Sequence, residues 1–217
     1  MSIVVLGLLA FLGYSLFARG YFQLQPEGKR YEKNSNLIMD FLTQQQPGLV
    51  DFEEDELELL SGNRQKMKSA SFFNKPVEGV LLSIYHEPFI AYKSVYHSAE
   101  HKTGVIGVTT NRDLFLFILK KDHTDIFINK KPFGTIKGAG QLLTPDSKSV
   151  IASYELRNND AFLVRVHDRP EAEVKHEIRE NSLPQRIVEV YGNTDAHVGQ
   201  IVKVMCFYLI GLNIKGD

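Results

Sequence analysis

The sequence has one cysteine, Cys206, so no intrachain disulfide can staple the fold. That favours a reducing compartment. Cys206 stands in the apolar run Val204-Met205-Cys206-Phe207-Tyr208 and reads as a buried, inert thiol. A reactive thiol would need exposure and a basic neighbour. No Asn-x-Ser/Thr sequon occurs, so nothing points to glycosylation. Charge of either sign is not in excess: the net value is −1, which gives no bulk attraction to nucleic acid or to an anionic bilayer. Binding to either would need a local patch. Catalytic signatures are missing as well. There is no G-x-S-x-G elbow. The glycines of GTIKGAG at 134–140 do not form a P-loop or a dinucleotide fingerprint, because no G-K-[ST] closes them, and they read as tight-turn residues. The carboxylates have no diagnostic spacing. These absences point to a non-enzymatic protein without a cofactor and without a nucleic-acid partner.

What is present starts with 217 residues, enough for one domain plus an anchor. Apolar residues make up 43%, too many for intrinsic disorder. Residues 3–18, IVVLGLLAFLGYSLFA, carry no charge, and Arg19 closes the run. Extended to residues 1–22, with Arg19 snorkelling and Tyr21 and Phe22 at the interface, the run is just long enough to span a bilayer. A cleaved signal peptide fits less well. No basic residue precedes the run, and Leu16-Phe17-Ala18 is a poor cleavage site. Arg19, Lys29, Arg30 and Lys33 all follow it, so the positive-inside rule puts the C-terminal domain in the cytoplasm. The bilayer is thus the first expected partner.

Residues 23–76 are expected to be a linker with short helices. Ser35 is placed to cap a helix reaching Thr43 or Gln46, with Leu37, Ile38, Phe41 and Leu42 at helical spacing, and Pro47-Gly48 ends it. A second helix is predicted over the acidic run 51–60 and the basic run 64–68, acids early and bases late. From residue 77 the texture becomes β-like, and residues 77–217 read as one domain. Strands are predicted at 78–86, 89–96, 104–110, 113–120, 124–129, 133–137, 148–156, 160–167, 172–179 and 186–191, separated by turn chemistry such as Asn111-Arg112 and Pro145-Asp146. Residues 201–212 carry only Lys203 as charge, so a helix there must be buried; at about 12–14 residues it is too short to span a bilayer, and a final buried strand is the alternative, since Ile201, Val202 and Val204 are β-branched. The fold class is therefore mainly β (α+β): an antiparallel β-barrel of about ten strands with a buried hydrophobic C-terminal helix, plus an N-terminal transmembrane helix.

Candidate chemistry is sparse. His97-Ser98-Ala99-Glu100-His101 is the best metal candidate, with His97 and His101 four apart and His86 or His123 as a third ligand; a polar loop is the simpler reading. Lys120, Lys121, Lys130 and Lys131 flank one candidate hairpin, with Lys137 close by, and are expected to gather into a patch that binds a lipid headgroup. Solubilising lysines on edge strands are the alternative.

Two stretches resemble the tubby-like barrel superfamily, which includes phospholipid scramblases and LURP-one-related proteins. They are Ile126-Phe127-Ile128-Asn129-Lys130-Lys131-Pro132-Phe133-Gly134-Thr135-Ile136 and Val202-Lys203-Val204-Met205-Cys206-Phe207-Tyr208-Leu209-Ile210. The resemblance covers at most residues 77–217 and implies an antiparallel barrel threaded by its C-terminal helix. The cysteine-rich, proline-rich and calcium-binding segments of scramblases have no counterpart, so scrambling is not implied. A pleckstrin-homology-like fold also ends strands with a helix, and Thr109-Thr110-Asn111-Arg112 is similar to a strand–turn of its GRAM-type relatives. The expected function is a membrane-anchored binding module for a lipid headgroup or a protein. The alternatives are an assembly or inhibitory partner working through strand edges or the acidic segment 51–58, and a metal-dependent enzyme.

Overall fold

Short apolar runs bounded by turn residues become strands, and each strand pairs with the next. The computed structural model describes residues 27–66, 76–97, 102–146, 148–157, 160–176, 178, 183–191 and 195–214. The expected membrane span at 1–22 lies outside them. Helix α1 (Glu27–Gln45) is followed by a 3-10 turn (Gln46–Gly48) and a 3-10 helix (Glu54–Leu59). Twelve strands follow: β1 (Leu60–Lys66), β2 (Val77–Ser83), β3 (Pro88–Tyr96), β4 (Gly104–Thr109), β5 (Leu114–Leu119) and β6 (His123–Ile128), then β7 (Lys131–Lys137), β8 (Gln141–Leu143), β9 (Val150–Arg157), β10 (Ala161–Val166), β11 (Arg169–Lys175) and β12 (Val188–Val190). Helix α2 (Ala196–Asn213) ends the described chain.

The twelve strands form one antiparallel sheet in sequence order, and the sheet curls into a nearly closed barrel. Its two ends meet where Ser61 bridges Arg186, with Ile187 N donating to Leu60 O at 3.0 Å and Gly62 N to Gln185 O at 3.3 Å. The expected ten strands become twelve. The added ones are β1 and β8. β1 (LSGNRQK) is polar and falls inside the segment expected as the second helix, whereas β8 has three residues, too few to show alternation. That second helix is only the 3-10 helix Glu54–Leu59. The first helix starts at Glu27, ahead of Ser35, because Tyr31 extends its buried stripe one turn back along polar sequence.

A helix apolar on every side must be surrounded by protein, and α2 is. Residues 201–211 are all buried, and the helix fills the barrel lumen. Asp195 caps it, its Oδ1 accepting from His197 N at 3.0 Å and Val198 N at 2.9 Å. Phe207 meets Phe115 edge-on, with ring centroids 5.0 Å apart. At the other end Tyr96 OH donates to Gly211 O at 3.3 Å, satisfying one of the terminal carbonyls that a helix leaves open. Among the described residues α2 is the one helix long and apolar enough to cross a membrane, and most of it is enclosed by the barrel.

β5 (LFLFIL) is apolar on both faces because both are covered. Phe115, Phe117 and Leu119 face α2, while Leu114 and Leu116 join a second cluster under α1 with Ile38 and Leu42. Helix α1 thus lies along the outside of β3, β4 and β5. The contact is closest at Gly107, where a Cβ would stand 2.2 Å from Ile38 Cγ2 and 2.6 Å from Leu42 Cδ1. Gly107→Val is therefore expected to cost about 1–3 kcal/mol and to lift α1 off its seat. Amide exchange should accelerate across α1 while the lumen-facing strands keep their protection. Unchanged exchange in α1 would show that the helix tolerates the displacement.

Candidate functional site

Successive turns of a meander fall at alternate ends of the barrel, and this decides which lysines meet. Lys120 and Lys121 form the β5–β6 turn, and His123 pairs in register with Lys137 across β6 and β7. The β6–β7 turn, with Lys130 and Lys131, lies one six-residue strand away, about 20 Å, at the opposite end. Lys120, Lys121 and Lys137 are brought together. Lys130 and Lys131 are not, and instead share their end with Asp113, Asp146 and Asp168.

The gathered lysines rim a cleft of about 230 Å³ at the mouth where α2 ends. Lys102, from the β3–β4 connection, joins them, and His123, Thr124 and Ile136 form a wall. Leu119, Tyr154, Tyr208 and Leu212 supply the deeper surface. Part of the lysine charge is answered locally, and His123 has a carboxylate partner of its own. Lys120 Nζ lies 2.7 Å from Asp125 Oδ2, and His123 Nδ1 lies 2.8 Å from Asp122 Oδ1. The His123 contact holds the Asp122 carboxyl below its ordinary range. The cations also suit the carbonyl end of α2, which carries partial negative charge.

Two phenols reach this cleft from the core. Tyr208 OH is 3.5 Å from Thr124 Oγ1, and the Tyr154 and Tyr208 rings are 6.1 Å apart. Burial pushes both phenols above their ordinary value, so both stay protonated at neutral pH. A rim of ammonium groups above hydroxyls is chemically suited to an oxyanion: charge attracts it, and donors orient it. Lys102, Tyr154 and Tyr208 were not expected at the site. Tyr208 had one signal, a polar tip in an otherwise apolar helix. Tyr154 had none.

His97 serves a different contact. Its Nε2 is 2.6 Å from Asn34 Nδ2 of α1, and its ring lies 4.9 Å from that of Tyr31. His101 lies outside the described residues. Among the described residues no group of three or more His, Cys, Asp or Glu side chains is arranged to hold a metal ion. The acidic segment is engaged within the chain. Asp51 pairs with Arg112, Glu53 N donates to Glu56 Oε2 at 2.8 Å, and Glu58 accepts from Val190 N at 2.9 Å. Cys206 is fully enclosed, and burial pushes its thiol up, away from reactivity.

No protein-family model, curated protein or solved structure matches this chain.

Proposed function

We propose that this chain is a non-enzymatic binding module, anchored to a membrane by residues 1–22, that takes an anionic lipid headgroup into the cleft at the barrel mouth. The observation that carries the reading is the convergence of Lys102, Lys120, Lys121 and Lys137 on one cleft, whose lining includes Tyr208 and Thr124, their hydroxyls 3.5 Å from each other. A basic side chain near an anionic membrane surface contributes about 1 kcal/mol of attraction. The globular part sits on the cytoplasmic side, where anionic lipids concentrate, in keeping with the basic residues that follow the apolar run. An in-order meander around a hydrophobic C-terminal helix supports the tubby-like reading of the fold. Fold alone does not carry the function.

Flotation tests the reading on a chain beginning at Gln23, which lacks the apolar run and can reach a vesicle only through its surface. Binding to anionic vesicles at low salt, weakening as salt rises and missing on uncharged vesicles, is the expected result. Equal retention on both vesicle types would remove the cleft from the explanation.

A further inference from the structure

The position of α1 relative to the cleft deepens this reading and rests on it. Near its start, Tyr31 OH donates to Leu119 O at 3.0 Å, and Leu119 is the residue before Lys120 of the cleft rim. Asn34 meets His97 at the same end. Just past its last residue, Gln46 Nε2 donates to Thr110 O at 3.2 Å, at the far end of β4. The helix is therefore a strut along the barrel, and its membrane-proximal end is the end that holds the cleft. Between the apolar run ending at residue 22 and Glu27 lie residues 23–26. Even fully extended they reach only about 14 Å.

We propose that the mouth of the barrel is the face laid against the bilayer, so that the cleft captures a headgroup from the same membrane that holds the chain. The other orientations meet poorer surfaces. Lying on its side over α1, the domain would press Lys29, Glu32, Lys33, Asn36, Asp40 and Gln44 toward the membrane; all six are exposed, and the two bases are balanced by two acids. Standing on its far end, it would need the tether to span the height of the barrel and would offer mixed charge, with Glu87, Asp113, Asp146 and Asp168 balancing Lys130, Lys131, Lys148 and Arg169. The mouth combines a short tether with the matching charge.

The full chain in anionic vesicles tests this with one fluorophore at a time and a quencher carried on the lipid. Ala139→Cys places a label on the β7–β8 turn beside the mouth, and Tyr85→Cys places one on the β2–β3 turn at the far end; both positions are exposed. Buried Cys206 does not compete for the label. Quenching several-fold stronger at position 139 than at 85 is the expected result. Equal or reversed quenching in chains that co-float with vesicles would overturn the mouth-down arrangement while leaving anchor and headgroup binding intact. Failure of the full chain to co-float would overturn the anchor, and this inference with it.

Discussion

A chain ending at Asp195 should have no cooperative unfolding transition and no near-ultraviolet circular dichroism signal. The twelve strands would remain in sequence, but the lumen would be empty. Phe115, Phe117, Ile126, Leu142 and Val164 face α2, each buried in the intact protein. Without the helix they would line a water-filled tube. The helix itself buries Ile201, Val202, Val204, Met205, Phe207, Leu209 and Ile210. At about 1.5–3 kcal/mol for each large apolar side chain, their burial contributes on the order of 10–20 kcal/mol. A domain is stable by only about 5–15 kcal/mol in total. The loss therefore exceeds what the sheet can absorb. A milder version is Phe207→Ala, which empties the space against the Phe115 ring and is expected to cost about 3–5 kcal/mol, measured as a shift in denaturation midpoint. A truncated chain that still unfolds cooperatively would show that the barrel stands without its filling.

Replacing Lys102, Lys120, Lys121 and Lys137 together by glutamine should weaken binding to anionic vesicles by about a thousandfold. The figure follows from about 1 kcal/mol for each basic residue near the surface and 1.4 kcal/mol for each decade of affinity. The same change at Lys130 and Lys131 should cost less than about tenfold, since those lysines lie at the other end of the barrel, beyond a Debye length of about 8 Å. Stability should change little. The Lys120–Asp125 pair is at the surface, with 39% of the lysine side chain exposed, and such pairs contribute about 0–1 kcal/mol. Quantitative vesicle titration over a salt series separates the two variants. Equal losses would mean that the lysines act through overall charge and that the cleft has no special part.

Much of the barrel was legible because its turns carry strong chemistry. Asn111-Arg112, Lys130-Lys131 and Pro145-Asp146 interrupt runs whose β-branched and aromatic residues suit a pleated surface. The burial of α2 was legible from its lack of a polar face, while β-branched Ile201, Val202 and Val204 left a buried strand open until the structure showed a helix. β1 was not, since Ser61, Asn63, Arg64 and Gln65 have no apolar alternation; the strand is held by its neighbours rather than by its own propensity. The start of α1 was hidden because Tyr31 alone marks its first buried turn. At the site, three of the four clustered lysines, Lys120, Lys121 and Lys137, were readable from the sequence. Turns one strand apart fall at opposite ends of a meander, so 120–121 and 130–131 cannot meet, whereas 120–121 and 137–138 can. Lys102 shares that end by the same alternation, since the β3–β4 and β5–β6 connections fall together, whereas Tyr154 reaches the cleft through barrel curvature, which a linear sequence does not display.

The in-order meander also has a consequence for time. Every strand pair up to β12 joins sequence neighbours, so each hairpin can form within microseconds of leaving the ribosome. The seam between Leu60 and Ile187 is different, since it closes a loop spanning most of the domain and carries the largest entropic cost of any pairing in the sheet. The helix that completes the interior follows that seam in the chain. Hairpins made early must therefore wait for the end of synthesis, and until then β1 remains an open edge. The interval between first hairpin and last residue is when this protein is most exposed to aggregation, and when a chaperone would have the most to shield.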